Sequence, residues 1–522
     1  MLHAGWKGGG RTIVHIVCCS PFLRLLVVTA TLPLFVSSFT NRPLVKLNYP
    51  RVCKMHADDA VLIIDPVTEW REVLSAVMEK GTKSIAIISN PLSGRDDIAR
   101  FIPTPSVLKE GGFDHVIDVD AKQGNDLDLD LEHTARTFAG LDVYAAAQRI
   151  KLLEREENLV VRGVVPLSET GVEYSDVLSA LLGISSHNSL DRVLARRDKA
   201  LMKEAVASKG LRVAKFARLD KPNDISAAVK SLGIDYPLVV KTPHGFSSTD
   251  VFICKDEAVA ISALTAILDG SGGGPDCRPV AFALVEEYIH GEEFAVNVLA
   301  SASGGVVCTD VWLYHKTISA ESGSPRYDRA DMMDPNDSKL HVVIEYAIQV
   351  ACAVGIAHGA GHIELKAVYC PASEHYINPC LIEVGARLSG GRKASLSKEV
   401  ISGWDPFHAL IDSHCGNEVK LPKSFSPRDK VASHLFLQNA QSGVVTSIEG
   451  TGYINSLETH YAHAILTKVG DRVEPTNDIT SSAGFVWLVG SWEDVEKDSA
   501  QVKKAFRTNV ESSDSDCFRC PA

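Results

Sequence analysis

Acidic residues are absent from the first 57 positions of this 522-residue chain, although the whole chain has a formal net charge of −12. The same segment contains basic residues and the apolar run LLVVTATLPLFV at 25–36. That run is too short, and too interrupted by Pro33, to cross a bilayer. We interpret 1–57 as a signal or transit peptide, with a misassigned start and a true start at Met55 as the alternative. The first reading predicts a plastid or another organelle, and the second predicts the cytoplasm.

The chain also lacks a basic excess, internal repeats and any repeating cysteine pattern. An acidic net charge argues against a nucleic-acid backbone as partner, because such binders carry basic stripes. The 12 cysteines follow no regular spacing, which favours a reducing compartment. The pair CFRC at 517–520 has no second pair that would complete a zinc site.

Short apolar runs alternate with helical patterns between residues 58 and 190. The predicted strands are AVLIIDP (60–66), SIAIIS (84–89), HVIDV (115–119) and VVRGVV (160–165). Thr170 and Glu173 form a predicted capping box that opens a helix through Leu182. This alternation predicts a parallel α/β domain. The region contains no GxGxxG fingerprint, so it gives no indication of a dinucleotide site.

A lysine and several hydroxyl groups meet at the end of one predicted strand. Lys241 ends the apolar run PLVVK, and the loop that follows contains Ser247 and Ser248. Such a group can bind phosphate oxygens through charge and hydrogen bonds. A surface lysine before an ordinary loop is the alternative. An amphipathic helix is predicted before this region, over 194–210.

Two later segments alternate in a way that places carboxylates on one face. In GHIELKAVYC (361–370), Glu364 shares its face with His362 and Lys366. In LIEVGAR (381–387), the same alternation predicts that Leu381, Glu383, Gly385 and Arg387 share a face. If the strands pair, the two carboxylates repel unless a proton or cation lies between them. Oxygen ligands favour Mg²⁺, so these glutamates are predicted metal ligands.

The order of these pieces resembles the ATP-grasp superfamily, especially carboxylate–amine ligases such as the bacterial L-amino-acid ligases. The resemblance covers about 194–391 and rests on RRDK, PLVVK, VEEYIHGEE, GHIE and IEVGAR in that order. It implies an α/β and α+β ATP-grasp fold, with a parallel N-terminal domain, a small mobile lid, a central antiparallel catalytic domain and a C-terminal extension. The expected boundaries are 1–57 (leader), 58–190 (N-terminal domain), 191–425 (ATP-grasp core, with the lid at about 212–285), 426–510 (C-terminal subdomain) and 511–522 (polar tail).

The resemblance also implies roles for individual residues. Arg387 and Lys241 are the expected catalytic residues, with Arg387 on the transferred phosphoryl group or the acyl phosphate. Glu364 and Glu383 are the expected ligands of Mg²⁺, with Mn²⁺ as an alternative. ATP is expected to contact Lys199, Lys241, Ser247, Ser248, Glu286, Ile289 and Glu293. Many members of the superfamily have Asn where this chain has Gly385, so the number of Mg²⁺ ions stays open.

The implied reaction joins a carboxylate to an amine through an acyl phosphate, and it consumes ATP. Amino acids, or an amino acid and a small carboxylate, are the expected substrates, and Tyr327 and Arg329 are the candidate substrate contacts. No nucleic-acid partner and no stable membrane span in the mature protein are expected, and a homodimer is left open. The alternatives are an ATP-grasp carboxylase or purine-pathway ligase, and a catalytically inactive nucleotide-binding regulatory protein. No biotin-attachment MKM is present.

Overall fold

The computed structural model describes residues 55–67, 69–89, 103–119, 143–245, 250–270, 280–318, 325–427, 429–479 and 481–511. Ser247 and Ser248 lie outside these ranges, as do the predicted leader up to residue 54 and the CFRC segment. Within the described ranges, no helix combines the length and the apolar character that a bilayer crossing requires.

A parallel sheet with flanking helices comes first in the chain. Its strands are β1 (Asp59–Ile64), β2 (Lys83–Ser89), β3 (His115–Val119) and β4 (Val160–Pro166), and its helices are α1 (Trp70–Glu79), α2 (Pro105–Glu110), α3 (Val143–Glu157) and α4 (Gly171–Leu182). The strand order is β3–β2–β1–β4. All six residues of β1 are buried, because helices cover both faces of such a sheet.

A smaller antiparallel sheet follows, in the order β5–β8–β6–β7. Its apolar cluster includes Ile225, Leu238 and Leu264, so this part of the chain has a core of its own. Strands β6 and β8 are neighbours, and their pairing brings Lys241 close to Glu286. The elements of this region are helix α5 (Lys199–Ala207), β5 (Phe216–Leu219), α6 (Ile225–Leu232), β6 (Leu238–Lys241), β7 (Val251–Cys254), α7 (Glu257–Leu268) and β8 (Ala283–Glu287).

The remaining strands form one large sheet and one small one. The large sheet has the order β13–β12–β9–β10–β11–β14–β18–β16, and the small sheet has the order β17–β15–β19. The strands are β9 (Glu292–Ser301), β10 (Gly305–Ile318), β11 (Pro325–Met333), β12 (Gly359–Cys370), β13 (His375–Gly385), β14 (Val431–Leu437), β15 (Gly443–Glu449), β16 (His460–Ile465), β17 (Arg472–Val473), β18 (Gly484–Gly490) and β19 (Arg507–Glu511). The helices are α8 (His341–Ala353), α9 (Lys393–Val400), α10 (Pro406–His414), α11 (Thr451–Ile454) and α12 (Trp492–Ala505).

Helix α8 covers one face of the large sheet. Val343 and Val350 of α8 share an apolar cluster with Ile363 and Leu365 of β12. Since neighbouring residues of a strand point to opposite faces, Glu364 points away from this core. The predicted fold class, with a parallel sheet and antiparallel sheets, is confirmed.

The predicted alternation along 381–387 is wrong at Leu381. A register shift lies between Glu364 and Leu365, so Glu364 pairs with Glu383 while Leu365 pairs with Leu381. This β-bulge turns Leu381 into the core beneath α8, where its amide donates to the Tyr346 hydroxyl at 2.9 Å.

One predicted helix cap and one predicted helix start are also wrong, although α4 begins after Thr170 and ends at Leu182 as predicted. The Thr170 hydroxyl does not cap α4 but donates to Asp65 Oδ2 at 2.5 Å, because Asp65 lies beside it at the end of β1. The helix predicted from 194 begins at Lys199, after a 3₁₀ turn at Leu194–Arg196. Asp198 determines this start, since its carboxylate accepts from the amides of Ala200 and Leu201.

Candidate functional site

A cavity of about 890 Å³ brings residues of all three main sheets together. Its wall includes nine of the predicted site residues: Lys199, Lys241, Glu286, Ile289, Glu293, Tyr327, Glu364, Glu383 and Arg387. Residues far apart in the sequence therefore meet at one place. Arg329 is not part of this wall.

Glu286 forms a buried cluster with two lysines. Its Oε2 lies 3.0 Å from Lys241 Nζ, and its Oε1 lies 2.9 Å from Lys203 Nζ. Burial raises the pKa of Glu286, but the charges of both lysines outweigh it and lower that pKa. Burial also lowers the pKa of Lys203 to about 8, against the opposing charge of Glu286. With one carboxylate shared by two ammonium groups, the cluster carries a net positive charge that suits an anionic ligand.

Lys199 lies at the first position of α5 and pairs with a predicted metal ligand. Its Nζ is 3.0 Å from Glu383 Oε1 and also donates to the carbonyl of Gly245. Only 3% of the Lys199 side chain is exposed, against 22% for Glu383. The contact with Gly245 links Lys199 to the start of the predicted phosphate loop.

Glu364 and Glu383 are direct partners across β12 and β13. Glu364 Oε1 lies 3.1 Å from His362 Nε2, and His362 Nδ1 lies 2.8 Å from Asn297 Oδ1. Burial raises the pKa of Glu364, but the hydrogen bond from His362 and the charges of Lys316 and Lys393 lower it to about 2. Glu364 is therefore ionised at neutral pH.

The donor set at this position fits a hard divalent cation. Both strand partners supply carboxylates, and in each of them Oε1 contacts a protein partner. A carboxylate has a second oxygen that can coordinate a cation. Opposite glutamates on paired strands repel without a positive charge nearby. Lys199 and His362 supply that charge or hydrogen bonding here, and Mg²⁺ bound to nucleotide phosphates would add to it.

Arg387 lies just after the end of β13 and pairs with a residue near the start of α4. Its Nη2 is 2.5 Å from Glu169 Oε1, and its Nη1 donates to the Leu388 carbonyl at 2.7 Å. Arg197 binds the second oxygen of the same carboxylate at 3.0 Å. Glu169 is thus shared by two arginines, and Arg387 remains 17% exposed on the cavity wall.

The predicted ATP contacts Ile289 and Glu293 lie on the same wall. Ile289 is 5% exposed and packs with Ala214 and Cys380. Glu293 Oε1 lies 2.5 Å from Lys316 Nζ. Each of these residues borders the cavity, as the resemblance implied.

The two candidate substrate contacts have different surroundings. Tyr327 lines the cavity, with its ring stacked on Phe436 at 5.1 Å and Lys316 Nζ 4.0 Å from its centroid. Arg329 instead pairs with Asp331 and Glu496, each at 2.8 Å. A register shift in β10 lies between His315 and Lys316, since His315 pairs with Arg329 and Lys316 pairs with Tyr327. This irregularity lies between Tyr327 and Arg329, the two candidate contacts.

Sequence reasoning assigned no role to several residues of this wall and its support. Lys203 lies four residues after Lys199 on α5, so helical spacing could have placed the two lysines together. His362 lies two residues before Glu364 on the same strand, which is a comparable signal. Glu169 and Lys393 had no such signal, because they meet the site only through the tertiary fold.

Comparisons with known proteins find relatives of this sequence and of this fold. Residues 234–393 match the family described as an ATP-grasp domain. An L-amino acid ligase from Bacillus licheniformis has a solved structure with a TM-score of 0.64, at 15% identity, covering 89% of this chain and all of that one. The chain has an ATP-grasp fold. The paired glutamates on β12 and β13 lie within the matched ATP-grasp segment.

Two curated relatives are, by name, a synthase and a ligase. Dapdiamide A synthase of Enterobacter agglomerans is 27% identical over 351 residues, which is 64% of this chain and 76% of that protein. The L-arginine-specific L-amino acid ligase of Bacillus subtilis is 24% identical over 244 residues, or 46% of this chain and 55% of that protein. The prediction of an ATP-grasp enzyme of the ligase type is confirmed by these relatives.

Proposed function

We propose that this ATP-grasp protein joins a carboxylate to an amine and consumes ATP, with amino acids as the substrate class. One substrate is an amino acid or another small carboxylate, and the second supplies the amine. The names of the two curated relatives, a dapdiamide synthase and an amino acid ligase, support this class.

A single observation carries the proposal. Glu364 and Glu383 lie opposite each other on paired strands, in a cavity that also contains Lys199, Lys241 and Arg387. Carboxylates for a metal and cations for phosphates are the groups that phosphoryl transfer needs.

The proposed reaction has two steps. A carboxylate oxygen attacks the γ-phosphorus of ATP, and the bond between that phosphorus and the β-phosphate oxygen breaks. The products of this step are ADP and an acyl phosphate. The amine nitrogen then attacks the acyl carbon, the carbon–oxygen bond to phosphate breaks, and the nitrogen loses a proton. The products are an amide, ADP and phosphate.

Residues of the cavity wall have separate tasks in this scheme. Lys199 and Lys241 bind phosphate oxygens, and Glu293 faces the ribose hydroxyls. Arg387 holds the phosphoryl group during transfer, with its guanidinium kept in place by Glu169. Glu364 and Glu383 would hold Mg²⁺, which neutralises phosphate charge when bound.

Other ATP-grasp activities are less well supported. Solved structures of biotin carboxylase from Campylobacter jejuni and of an N5-carboxyaminoimidazole ribonucleotide synthetase from Thermotoga maritima share the fold, with TM-scores of 0.52 and 0.54 and identities of 15% and 16%. At such low identities, the similarity supports only a shared fold. The chain has no MKM sequence for biotin attachment, and its curated relatives are named as a dapdiamide synthase and an L-amino acid ligase.

The test is ADP release from the full chain with Mg²⁺ and pairs of amino acids, followed by mass spectrometry of the products. We expect ADP release that depends on both substrates and an amide of the summed mass less water. Nucleotide binding without substrate-stimulated turnover would favour the regulatory alternative. Turnover with bicarbonate alone would favour a carboxylase.

A further inference from the structure

Aromatic rings line one end of the cavity, on the C-terminal strands of the large sheet. This region is called the aromatic end here and consists of Tyr327, His434, Phe436, Ala464, Phe485 and Trp487. In the strand register, His434 pairs with Trp487 and Phe436 pairs with Phe485. Ala464 is the partner of Phe485 on β16. One face of β14, β18 and β16 therefore presents rings beside a small residue.

The rings form a continuous series of contacts that reaches the predicted catalytic residues. Tyr314 packs edge-on against Tyr327 at 5.2 Å, and Phe436 lies 5.1 Å from Tyr327 and 4.1 Å from His434. His434 lies 5.3 Å from Trp487. Tyr314 lines the same cavity as Glu364 and Arg387, so the series of rings continues along the cavity wall toward the proposed metal site.

The aromatic end is apolar and has no carboxylate. Leu466 and Ile479 add aliphatic surface to it, and no acidic residue is among these described lining residues. Burial, with a smaller effect of Lys393, holds the pKa of His434 well below its usual range, so this ring is neutral. A basic side chain would find no counter-ion here, whereas a large apolar side chain would bury its surface and stack on rings.

Lys393 lies between the aromatic end and the catalytic residues. Its Nζ is 5.2 Å from the Tyr314 ring centroid and donates to the Gly390 carbonyl at 3.2 Å. The side chain is 4% exposed, and no carboxylate of the described residues forms an ion pair with it. Burial lowers the pKa of Lys393 to about 8, while the charges of Glu364, Asp310 and Glu69 oppose this effect. A buried ammonium without a paired carboxylate is suited to binding an anionic ligand group.

We propose that the aromatic end receives the aromatic or large aliphatic side chain of the amino acid whose carboxylate is activated, and that Lys393 holds that carboxylate. This inference rests on the proposed function and adds a substrate class to it. It also distinguishes this chain from a ligase for arginine, because the aromatic end offers no carboxylate partner and two of its rings already have cations beside them, Lys316 at Tyr327 and Arg392 at Trp487.

The first experiment measures ADP release by the full chain with phenylalanine, leucine, alanine, arginine or aspartate as the carboxyl donor, with mass spectrometry to establish which amino acid supplied it. We expect phenylalanine and leucine to exceed arginine and aspartate by about tenfold or more in kcat/KM. Ala464→Leu should lower kcat/KM for phenylalanine by about tenfold, because the added carbons fill the pocket. The kcat/KM for alanine should stay within about threefold of the wild-type value. Val444→Leu, at an exposed position outside the cavity, is the matched control.

The second experiment separates the pocket from the proposed reaction. Calorimetry with phenylalanine and with phenylalaninol, which lacks the carboxylate, is carried out on the wild type, Ala464→Leu and Lys393→Met. We expect Lys393→Met to weaken the binding of phenylalanine by about tenfold and to leave the affinity for phenylalaninol unchanged. The wild type could bind phenylalanine, with weaker binding in Ala464→Leu, and yet release no ADP. That result would contradict the proposed function but support the pocket. A preference for arginine or aspartate, or equal losses for phenylalanine and alanine in Ala464→Leu, would overturn the pocket, and so would a failure of phenylalanine to bind.

Discussion

Arg387 and Glu169 form an ion pair, with 2.5 Å between Nη2 and Oε1, and they are 218 residues apart in the chain. Glu169 precedes α4 of the parallel sheet region, while Arg387 follows β13 of the large sheet. Two arginines share this buried carboxylate, so the pair has a structural component. The position of Arg387 on the cavity wall adds the proposed catalytic component.

Replacing Arg387 by lysine separates these two components. Lysine keeps the charge beside Glu169 but loses the planar fork that can bind two phosphoryl oxygens. We expect Arg387→Lys to bind ATP with an affinity within several-fold of the wild-type value. Its substrate-stimulated ADP release should fall by about 10³-fold. Calorimetry and steady-state turnover on one preparation provide the measurement.

Arg329→Lys is the control for that prediction, since Arg329 also pairs with a buried carboxylate but does not line the cavity. It should leave turnover near the wild-type value. Normal turnover of Arg387→Lys would contradict the assigned role, and a large fall in its melting temperature would favour the structural pair. A turnover defect in Arg329→Lys would restore Arg329 as a substrate contact.

Replacing Glu364 by glutamine tests the proposed metal site. The substitution removes one of two opposing carboxylates but retains an oxygen that His362 can bind. We expect the Mg²⁺ concentration for half-maximal turnover to rise at least about tenfold, with a melting temperature near that of the wild type. Glu383→Gln should have the same effect on Mg²⁺, but it also removes the partner of the buried Lys199 and should lower stability.

Glu287→Gln is the matched control, because Glu287 also lines the cavity but has other partners, Arg212 at 3.6 Å and the Lys215 amide at 3.1 Å. Its Mg²⁺ dependence should not change. Loss of folding in Glu364→Gln without an altered Mg²⁺ dependence would indicate a structural carboxylate instead.

The buried lysine pair on Glu286 should contribute to both stability and nucleotide binding. Lys203→Met removes one ammonium of the cluster, although Lys241 stays 3.0 Å from Glu286. Breaking a buried ion pair outright costs about 3 kcal/mol. Because Lys241 still compensates Glu286 in this variant, we expect a smaller loss in the free energy of unfolding, of about 1 kcal/mol. Urea unfolding checks it, with Lys209→Met, an exposed lysine just beyond α5, as the control. An unchanged midpoint would mean that the lysine is compensated elsewhere.

His414 should make the protein less stable in acid. Burial, with a smaller effect of His358, lowers its pKa from 6.5 to about 4, against the charge of Asp176. Between pH 6.5 and 4 the unfolded chain therefore binds a proton that the folded chain does not. The contribution of His414 is complete above pH 6.5 and falls by about 3 kcal/mol as the pH drops to 4.

The measurement is the unfolding free energy as a function of pH, for the wild type and His414→Gln. The variant should show a shallower decline over this range. His375→Gln, at an exposed histidine, is the control and should follow the wild type. Parallel curves for His414→Gln and the wild type would contradict the assignment.

Local patterns were sufficient for most of the secondary structure. The apolar runs at 60–66, 84–89, 115–119 and 160–165 correspond to β1–β4 within two residues at either end, because burial on both faces leaves a continuous apolar signal. Period-two alternation placed Glu364 and Glu383 on faces that meet if their strands pair, and the structure shows that these strands do pair. The sequence by itself therefore determined the fold class and the candidate metal ligands.

Tertiary structure decided what each side chain meets. The bulge that buries Leu381 depends on α8 and its Tyr346 hydroxyl, which no local pattern in 381–387 encodes. Thr170 bonds to Asp65 rather than to its own helix, since the fold places a carboxylate 105 residues away beside it. The partners of Arg387 and Arg329, and the position of Lys393 beneath the aromatic end, depend on the same kind of distant approach. Alternation and capping preferences act over a few residues, whereas burial, charge pairing and pocket shape arise only when distant segments pack together.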